Sequence, residues 1–127
     1  MKENAVKEKA LNFAVRIVNL YKFLREEKNE HIMSKQLMRS GTSIGANISE
    51  ALRGASKKDF MNKLTIALKE AGESDYWITL LRRTDYLDEK QHESISSDIS
   101  EIIKLLVAIL KRSQSSQNPS TILNSEF

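Results

Sequence analysis

The sequence predicts an all-α protein, an up-down-up-down antiparallel four-helix bundle. Glycine and proline are scarce, at 4 and 1 among 127 residues, which disfavours a turn-rich β fold. Apolar residues recur at alternating steps of three and four along four segments, and this spacing places them on one face of a helix. Because long helices joined by short connections pack as antiparallel neighbours, a bundle follows.

The first helix is predicted over about residues 3–28, with a break at Asn29 to His31. Its apolar residues form two adjacent rows, which give the wide apolar face that a bundle helix needs. The main row consists of Ala10, Phe13, Ile17, Leu20 and Leu24, and the second row of Leu11, Ala14, Val18 and Tyr21.

The second helix is predicted over about residues 32–55 and has polar residues along one face. Gly41 and Gly45 lie four residues apart, so we expect another backbone to approach this helix closely there. The polar residues, at steps of 4, 3, 4 and 3, are Gln36, Ser40, Ser43, Asn47 and Glu50.

These five residues, with Glu70, Glu73 and Trp77 of the third helix, are called the polar seam. A solvated helix face usually carries Lys and Glu, so a row that includes Gln, Ser and Asn indicates a face packed against another helix. Buried polar groups cost free energy unless each finds a partner. One interpretation is a hydrogen-bond network, within the bundle or between subunits, that sets helix register. The other is a ligand pocket built from Asn47, Glu50, Glu70 and Glu73. We place Trp77 in the core or an interface.

The third and fourth helices are predicted over about residues 57–84 and 88–113. Ser56, followed by Asp59 three residues later, is typical of an N-cap, and Asp88 is placed to cap the fourth helix. Both helices have sustained apolar rows. These rows are Phe60, Leu64, Ala67, Ala71, Ser74, Ile78 and Leu81, then Ile95, Ile99, Ile102, Leu106 and Ile109.

The four helices together account for one bundle domain over residues 1–113. A chain of 127 residues fits a single domain with a core of its own. Residues 114–127 have no periodicity, and we expect them to be a disordered C-terminal tail.

Three blocks of the sequence resemble a known bacterial family. They are Ser34 to Glu50, Ser56 to Phe60, and the stretch from Leu64 through Ala71 to Trp77. In order and spacing they are similar to the four-helix-bundle family named after the 23S ribosomal RNA intervening sequence protein. The resemblance extends from the first helix to the fourth and leaves out the tail.

The resemblance implies a four-helix bundle that often assembles as a ring-like homo-oligomer, with pentamers in the family. It implies no known enzymatic activity. A similar protein, the accessory variability determinant of diversity-generating retroelements, binds nucleic acid and a reverse transcriptase through a basic surface. For most members the cellular role is unknown.

Positive charge is concentrated in the middle of the chain. Residues 32–84 contain nine basic and five acidic side chains, whereas residues 85–113 contain four and six. A small patch on a monomer binds phosphates weakly, but a ring would multiply the contacts. The candidate nucleic-acid-binding residues are Lys35, Arg39, Arg53, Lys57, Lys58 and Lys63.

No residue set is typical of a catalytic or metal site. Cysteine is absent, and the two histidines, His31 and His92, are peripheral. Glu89 and His92 form one Glu-x-x-His match, whereas a di-iron site in a bundle needs two. We therefore expect no catalytic residues, no cofactor and no metal.

The charged segment Met1 to Lys9 does not resemble a signal peptide, and no apolar run approaches the roughly 20 residues of a membrane span. We expect a cytoplasmic protein that does not contact membranes. The predicted function is that of a non-enzymatic, self-associating bundle that binds RNA or DNA or acts as a scaffold. The alternative is a protein-partner adaptor without nucleic-acid affinity, and a metal-binding or catalytic bundle is the least favoured.

Overall fold

The computed structural model describes residues 2–117, which form four α-helices. Each helix packs against its neighbour in sequence, and α1 also packs against α4. This closed order confirms the predicted up-down-up-down bundle. The helices are α1 (Lys2–Glu26), α2 (Met33–Leu52), α3 (Lys57–Arg83) and α4 (Glu89–Gln117).

The predicted helix boundaries agree with the structure to within three residues, except at the end of α4. We expected this helix to stop at Ser113, but it continues to Gln117. Residues 114–117 contain neither glycine nor proline, so nothing in them ends a helix. The rest of the predicted tail, residues 118–127, lies outside the described residues.

The core is built from the main apolar row of each helix. The second row of α1 differs, since Leu11 is 57 % exposed. The expectation that both rows face the bundle is therefore wrong for Leu11: α1 packs only against α2 and α4, and one row fills that space. The largest buried side chains are Phe13, Ile17, Leu24, Leu37, Ile44, Ile48, Leu64, Ile78, Leu81, Ile99, Ile102 and Leu106.

The two glycines of α2 face α1, which confirms the expected close approach. A Cβ added at Gly45 would lie 3.6 Å from backbone atoms of Ala10. A Cβ added at Gly41 would lie 2.9 and 3.0 Å from Cγ1 and Cγ2 of Ile17, which is closer than side chains pack. The missing side chain at Gly41 therefore sets how near α1 and α2 can come.

Both predicted N-caps are confirmed. The Ser56 side chain accepts from the backbone N–H of Asp59 at 3.1 Å. The Asp88 carboxylate accepts from the N–H of Gln91 at 2.7 Å, and the Gln91 side chain accepts from the N–H of Asp88 at 2.9 Å. This reciprocal pair satisfies two N–H groups that an uncapped helix leaves unpaired.

The start of α2 is held by a buried carboxylate that the sequence did not suggest. Glu30 is only 6 % exposed, and its two oxygens accept from the N–H groups of Ile32, Met33 and Ser34 at 3.0, 2.9 and 2.7 Å. Burial alone would raise the pKa of Glu30, but the three N–H donors outweigh it and hold the pKa below its ordinary value. Glu30 thus binds as an anion at the helix N-terminus.

Replacing Gly41 by alanine should destabilise the bundle, whereas Gly72→Ala should stabilise it. At position 41 the new Cβ meets Ile17 at 2.9 Å, so the core must shift at a cost of about 1–3 kcal/mol. At Gly72 nothing lies within 4 Å, and alanine is favoured in a helix by about 1 kcal/mol. Urea unfolding followed by circular dichroism measures both. If the two variants changed the free energy of unfolding by the same amount, this would contradict the close contact between α1 and α2.

Glu30→Gln should lower the free energy of unfolding by about 1 kcal/mol at neutral pH. A carboxyl whose pKa is lowered on folding stabilises the protein above its unfolded pKa, about 4.3 for glutamate, and this stabilisation is lost as pH falls through the folded pKa. The difference between wild type and variant should therefore shrink below about pH 4.

Urea unfolding across this pH range tests the Glu30 prediction. Glu27→Gln, at an exposed position in the same connection, is the matched control. Its free energy of unfolding should equal that of the wild type at every pH. If Glu30→Gln remains less stable than the wild type by the same free energy at every pH, including below about pH 4, the carboxylate charge does not stabilise α2.

Candidate nucleic-acid interface and polar seam

The polar seam lies along the contact between α2 and α3, and its buried centre is a pair of serines. Ser40 and Ser74 are both 0 % exposed. The Ser74 hydroxyl donates to Ser40 Oγ at 2.9 Å, and Ser40 Oγ lies 3.4 Å from the carbonyl oxygen of Leu37. Sliding one helix along the other would break the bond between the two hydroxyls and leave each with only a carbonyl of its own helix, Leu37 for Ser40 and Glu70 for Ser74. The pair therefore favours this register of α2 against α3.

Beside the serine pair, Arg39 of α2 binds two carboxylates of α3. Its guanidinium donates to Glu70 Oε2 at 2.9 Å and to Glu73 Oε2 at 2.6 Å. The indole N–H of Trp77 donates to the same Glu73 oxygen at 3.0 Å. The hydrogen bonds from Trp77 and Arg39 lower the pKa of Glu73, and the bond to Glu73 raises the pKa of Arg39. The charge of Arg39 is thus already offset.

Except for Gln36, the other predicted seam residues have partners of their own. The Ser43 hydroxyl donates to the backbone oxygen of Arg39 at 2.6 Å. The Asn47 amide donates to the backbone oxygen of Ser43 at 2.8 Å, within α2. The Glu50 carboxylate lies 3.1 Å from Lys63 Nζ of α3, and both side chains are largely exposed. Gln36 is exposed and has no hydrogen-bond partner among the described side chains. Only the middle of the seam is therefore buried.

The contacts favour a hydrogen-bond network within the bundle over a ligand pocket. Each of the four residues proposed for the pocket is bonded elsewhere, as described above for Asn47, Glu50, Glu70 and Glu73. Glu70 and Glu73 both bind Arg39. Asn47 and Glu50 bind neither of these glutamates.

The structure divides the candidate nucleic-acid-binding residues into two groups. Lys35 and Arg39 lie in the first half of α2, and Lys35 is about 27 Å along the helix from Arg53, at 1.5 Å per residue. Arg53, at the C-cap of α2, and Lys57 and Lys58, in the first turn of α3, form an exposed basic corner. The name basic corner is used for these three residues.

Sequence reasoning missed two surface features of the bundle. The first is the pairing of Arg39 and Lys63 with acidic residues across the seam, although the three-residue spacing of Glu70 and Glu73 beside small side chains hinted at it. The second is an outer row on α1, formed by Leu11 and Val15, which are 57 % and 55 % exposed. Leu11 belonged to the predicted second row of the first helix, but Val15 belonged to neither predicted row.

Two further properties concern residues 2–117. Within them, no three or more His, Cys, Asp or Glu side chains are grouped closely enough to hold a metal ion. None of the four helices combines the length and the apolar character that crossing a membrane requires. The Glu-x-x-His match at Glu89 and His92 lies in the first turn of α4.

Comparison with known proteins identifies the family. Residues 2–108 match the model of the 23S rRNA-intervening sequence protein. A crystal structure at 1.70 Å of a protein of unknown function, of the S23 ribosomal protein family from Bacteroides thetaiotaomicron VPI-5482, is 62 % identical, covering 87 % of this chain and 99 % of that one with a TM-score of 0.86. No curated protein is significantly similar. The chain therefore belongs to the 23S rRNA-intervening sequence protein family.

Proposed function

We propose that the protein is a non-enzymatic, self-associating bundle of the cytoplasm that binds the phosphate backbone of RNA or DNA. The observation that carries this proposal is the basic corner. Its three cations are exposed within six residues of one another, and the side chains of Arg53 and Lys58 have no acidic partner among the described residues. Phosphate contacts by such side chains dominate sequence-independent nucleic-acid binding.

The local structure favours an anionic partner at this corner. The α3 helix begins here, so its first backbone N–H groups add partial positive charge beside Lys57 and Lys58, which Asp59 in the same turn partly offsets. The nearest aromatic side chain, Phe60, is partly buried against the core. Base stacking therefore has no exposed platform at the corner, and the proposed contacts are with phosphates.

Self-association would raise the nucleic-acid affinity of the basic corner, which is weak in a single subunit. The outer row of α1 exposes two large apolar side chains four residues apart, Leu11 and Val15, and a second copy would remove them from water. The family resemblance favours a ring, and we propose a pentamer. A ring presents several copies of the basic corner to one nucleic acid, so the phosphate contacts add.

A second function, a protein-partner adaptor without nucleic-acid affinity, is favoured by the same outer row. An apolar row of this kind suits the amphipathic helix of another protein as well as a second copy. The adaptor predicts a monomer in solution and no nucleic-acid binding at physiological salt, so the two experiments below separate the functions.

Reversing the charge of Arg53, Lys57 and Lys58 to glutamate should weaken RNA or DNA binding at least tenfold. Each lost phosphate contact should also reduce the slope of log affinity against log salt by about one. Fluorescence anisotropy of labelled single- and double-stranded oligonucleotides at several salt concentrations measures both quantities.

The control for charge reversal changes the net charge equally at exposed sites away from the corner, with Lys28, Arg83 and Lys104 replaced by glutamate. This variant should retain most of the affinity. Unchanged binding by the corner variant would exclude the corner as the site, and an equal loss in both variants would show that binding follows overall charge.

Replacing Leu11 and Val15 together by glutamate should convert the oligomer into monomers that remain folded. Size-exclusion chromatography with light scattering measures the mass, circular dichroism measures the helix content, and the ratio of absorbance at 260 and 280 nm reports bound nucleic acid. Ile66→Glu on α3, a residue 42 % exposed, is the control and should leave the mass unchanged. A monomeric wild type, or an oligomer that survives the double change, would contradict this interface.

A further inference from the structure

The side of the bundle between α1 and α4 is packed differently from the other three. Of the four packed helix pairs, this one is in least contact. Three ion pairs between partly exposed side chains bridge α1 and α4 along this side. These pairs are Lys9 with Glu101 at 2.8 Å, Arg16 with Asp98 at 2.5 Å and Arg112 with Glu3 at 3.1 Å.

The gap left by this polar contact is a cavity of about 500 Å³, here called the α1–α4 groove, next to the turn between α3 and α4. Small-molecule sites in proteins span about 300–1,000 Å³ and are mostly apolar with a few polar groups. The apolar lining is formed by Leu20 and Phe23 of α1 with Leu87 and Ile95. Leu87 and Ile95 are only 2 % and 4 % exposed, so they form the floor.

Most polar groups around the groove are already bonded. Arg16 donates to Ser94 Oγ at 2.7 Å, to the Ser94 carbonyl at 3.2 Å and to Asp98 at 2.5 Å. Asp88 and Gln91 each accept from the backbone N–H of the other at the start of α4. None of these side chains needs a ligand to complete its hydrogen bonds.

Two of the polar side chains that line the groove are not bonded. Asn19 and Lys90 have no hydrogen-bond or ion-pair partner within the part of the chain that the structure describes. An ammonium and an amide N–H₂ are both donors, and a carboxylate accepts strongly from such groups. A carboxylate placed at Arg16 instead would meet the negative charge of Asp98. The Asp88 carboxylate also lines the groove, but it is bound to the N–H of Gln91 at the start of α4, so Lys90 offers the anion-binding end beside an apolar floor.

We propose that the α1–α4 groove binds an amphipathic monocarboxylate, such as a medium-chain or aromatic acid. Its carboxylate accepts hydrogen bonds from Lys90 and Asn19, and its apolar body covers Phe23, Leu20 and Ile95. This site is separate from the basic corner. It borders the outer row of α1, since Asn19 lies one turn beyond Val15, and the tests below leave Leu11 and Val15 unchanged.

Isothermal titration calorimetry with octanoate and with octanamide, its uncharged counterpart, tests the site. Octanoate should bind about tenfold more tightly, because a hydrogen bond to a charged group is stronger than one between neutral groups. Lys90→Gln should abolish that preference. Lys104→Gln, an equal charge loss on the same helix outside the groove, should retain it.

Amide chemical shifts measured by NMR during the same titration should change at Leu20, Phe23 and Ile95. The proposal is overturned if neither compound binds, if the two bind equally, or if Lys90→Gln keeps the preference for octanoate. Shift changes confined to Leu11 and Val15 would also overturn it, since they would place the ligand on the outer row.

Discussion

The rest of the structure depends on two adjacent residues of α2, Ser40 and Gly41, which face its two neighbours. Gly41 lets Ile17 of α1 come close, and Ser40 bonds to Ser74 of α3 at 2.9 Å. Among the described residues, α1 and α3 do not pack against each other directly. Their relative position is therefore set through α2 on one side and through α4 on the other, and a change at Ser40 or Gly41 moves the α2 side.

The contact that aligns α2 with α3 also decides which positive charges remain available on this side of the molecule. Exposed ion pairs such as Lys63 with Glu50 contribute at most about 1 kcal/mol, so their effect on stability is small. Their effect on the electrostatic surface is larger, because Arg39 and Lys63 are offset by carboxylates. Among the described residues, the exposed cations here without an acidic partner include Lys35 in the first half of α2 and Arg53 and Lys58 of the basic corner.

The fold could be predicted from sequence because apolar periodicity reports which face of each helix is buried. The rows through Phe13, Leu64 and Ile99 are buried as expected. Periodicity does not report which helix a polar residue meets, so the partners of Arg39 were not predictable from spacing. Glu30 was missed for another reason: glutamate is not a preferred N-cap, and its longer side chain reaches three N–H groups from further back. For the basic residues, proximity in sequence could not show that Arg39 and Lys63 are paired with carboxylates.

The polar contact between α1 and α4 joins the first and last helices of the described chain. Its hydrogen bonds connect residues 78, 82 and 109 positions apart, whereas every other helix pair is a hairpin of sequence neighbours. Such distant contacts close only after local ones, because the chain between them must first be ordered. During synthesis the first three helices can assemble, but the inner faces of α1 and α3 stay uncovered until α4 has left the ribosome.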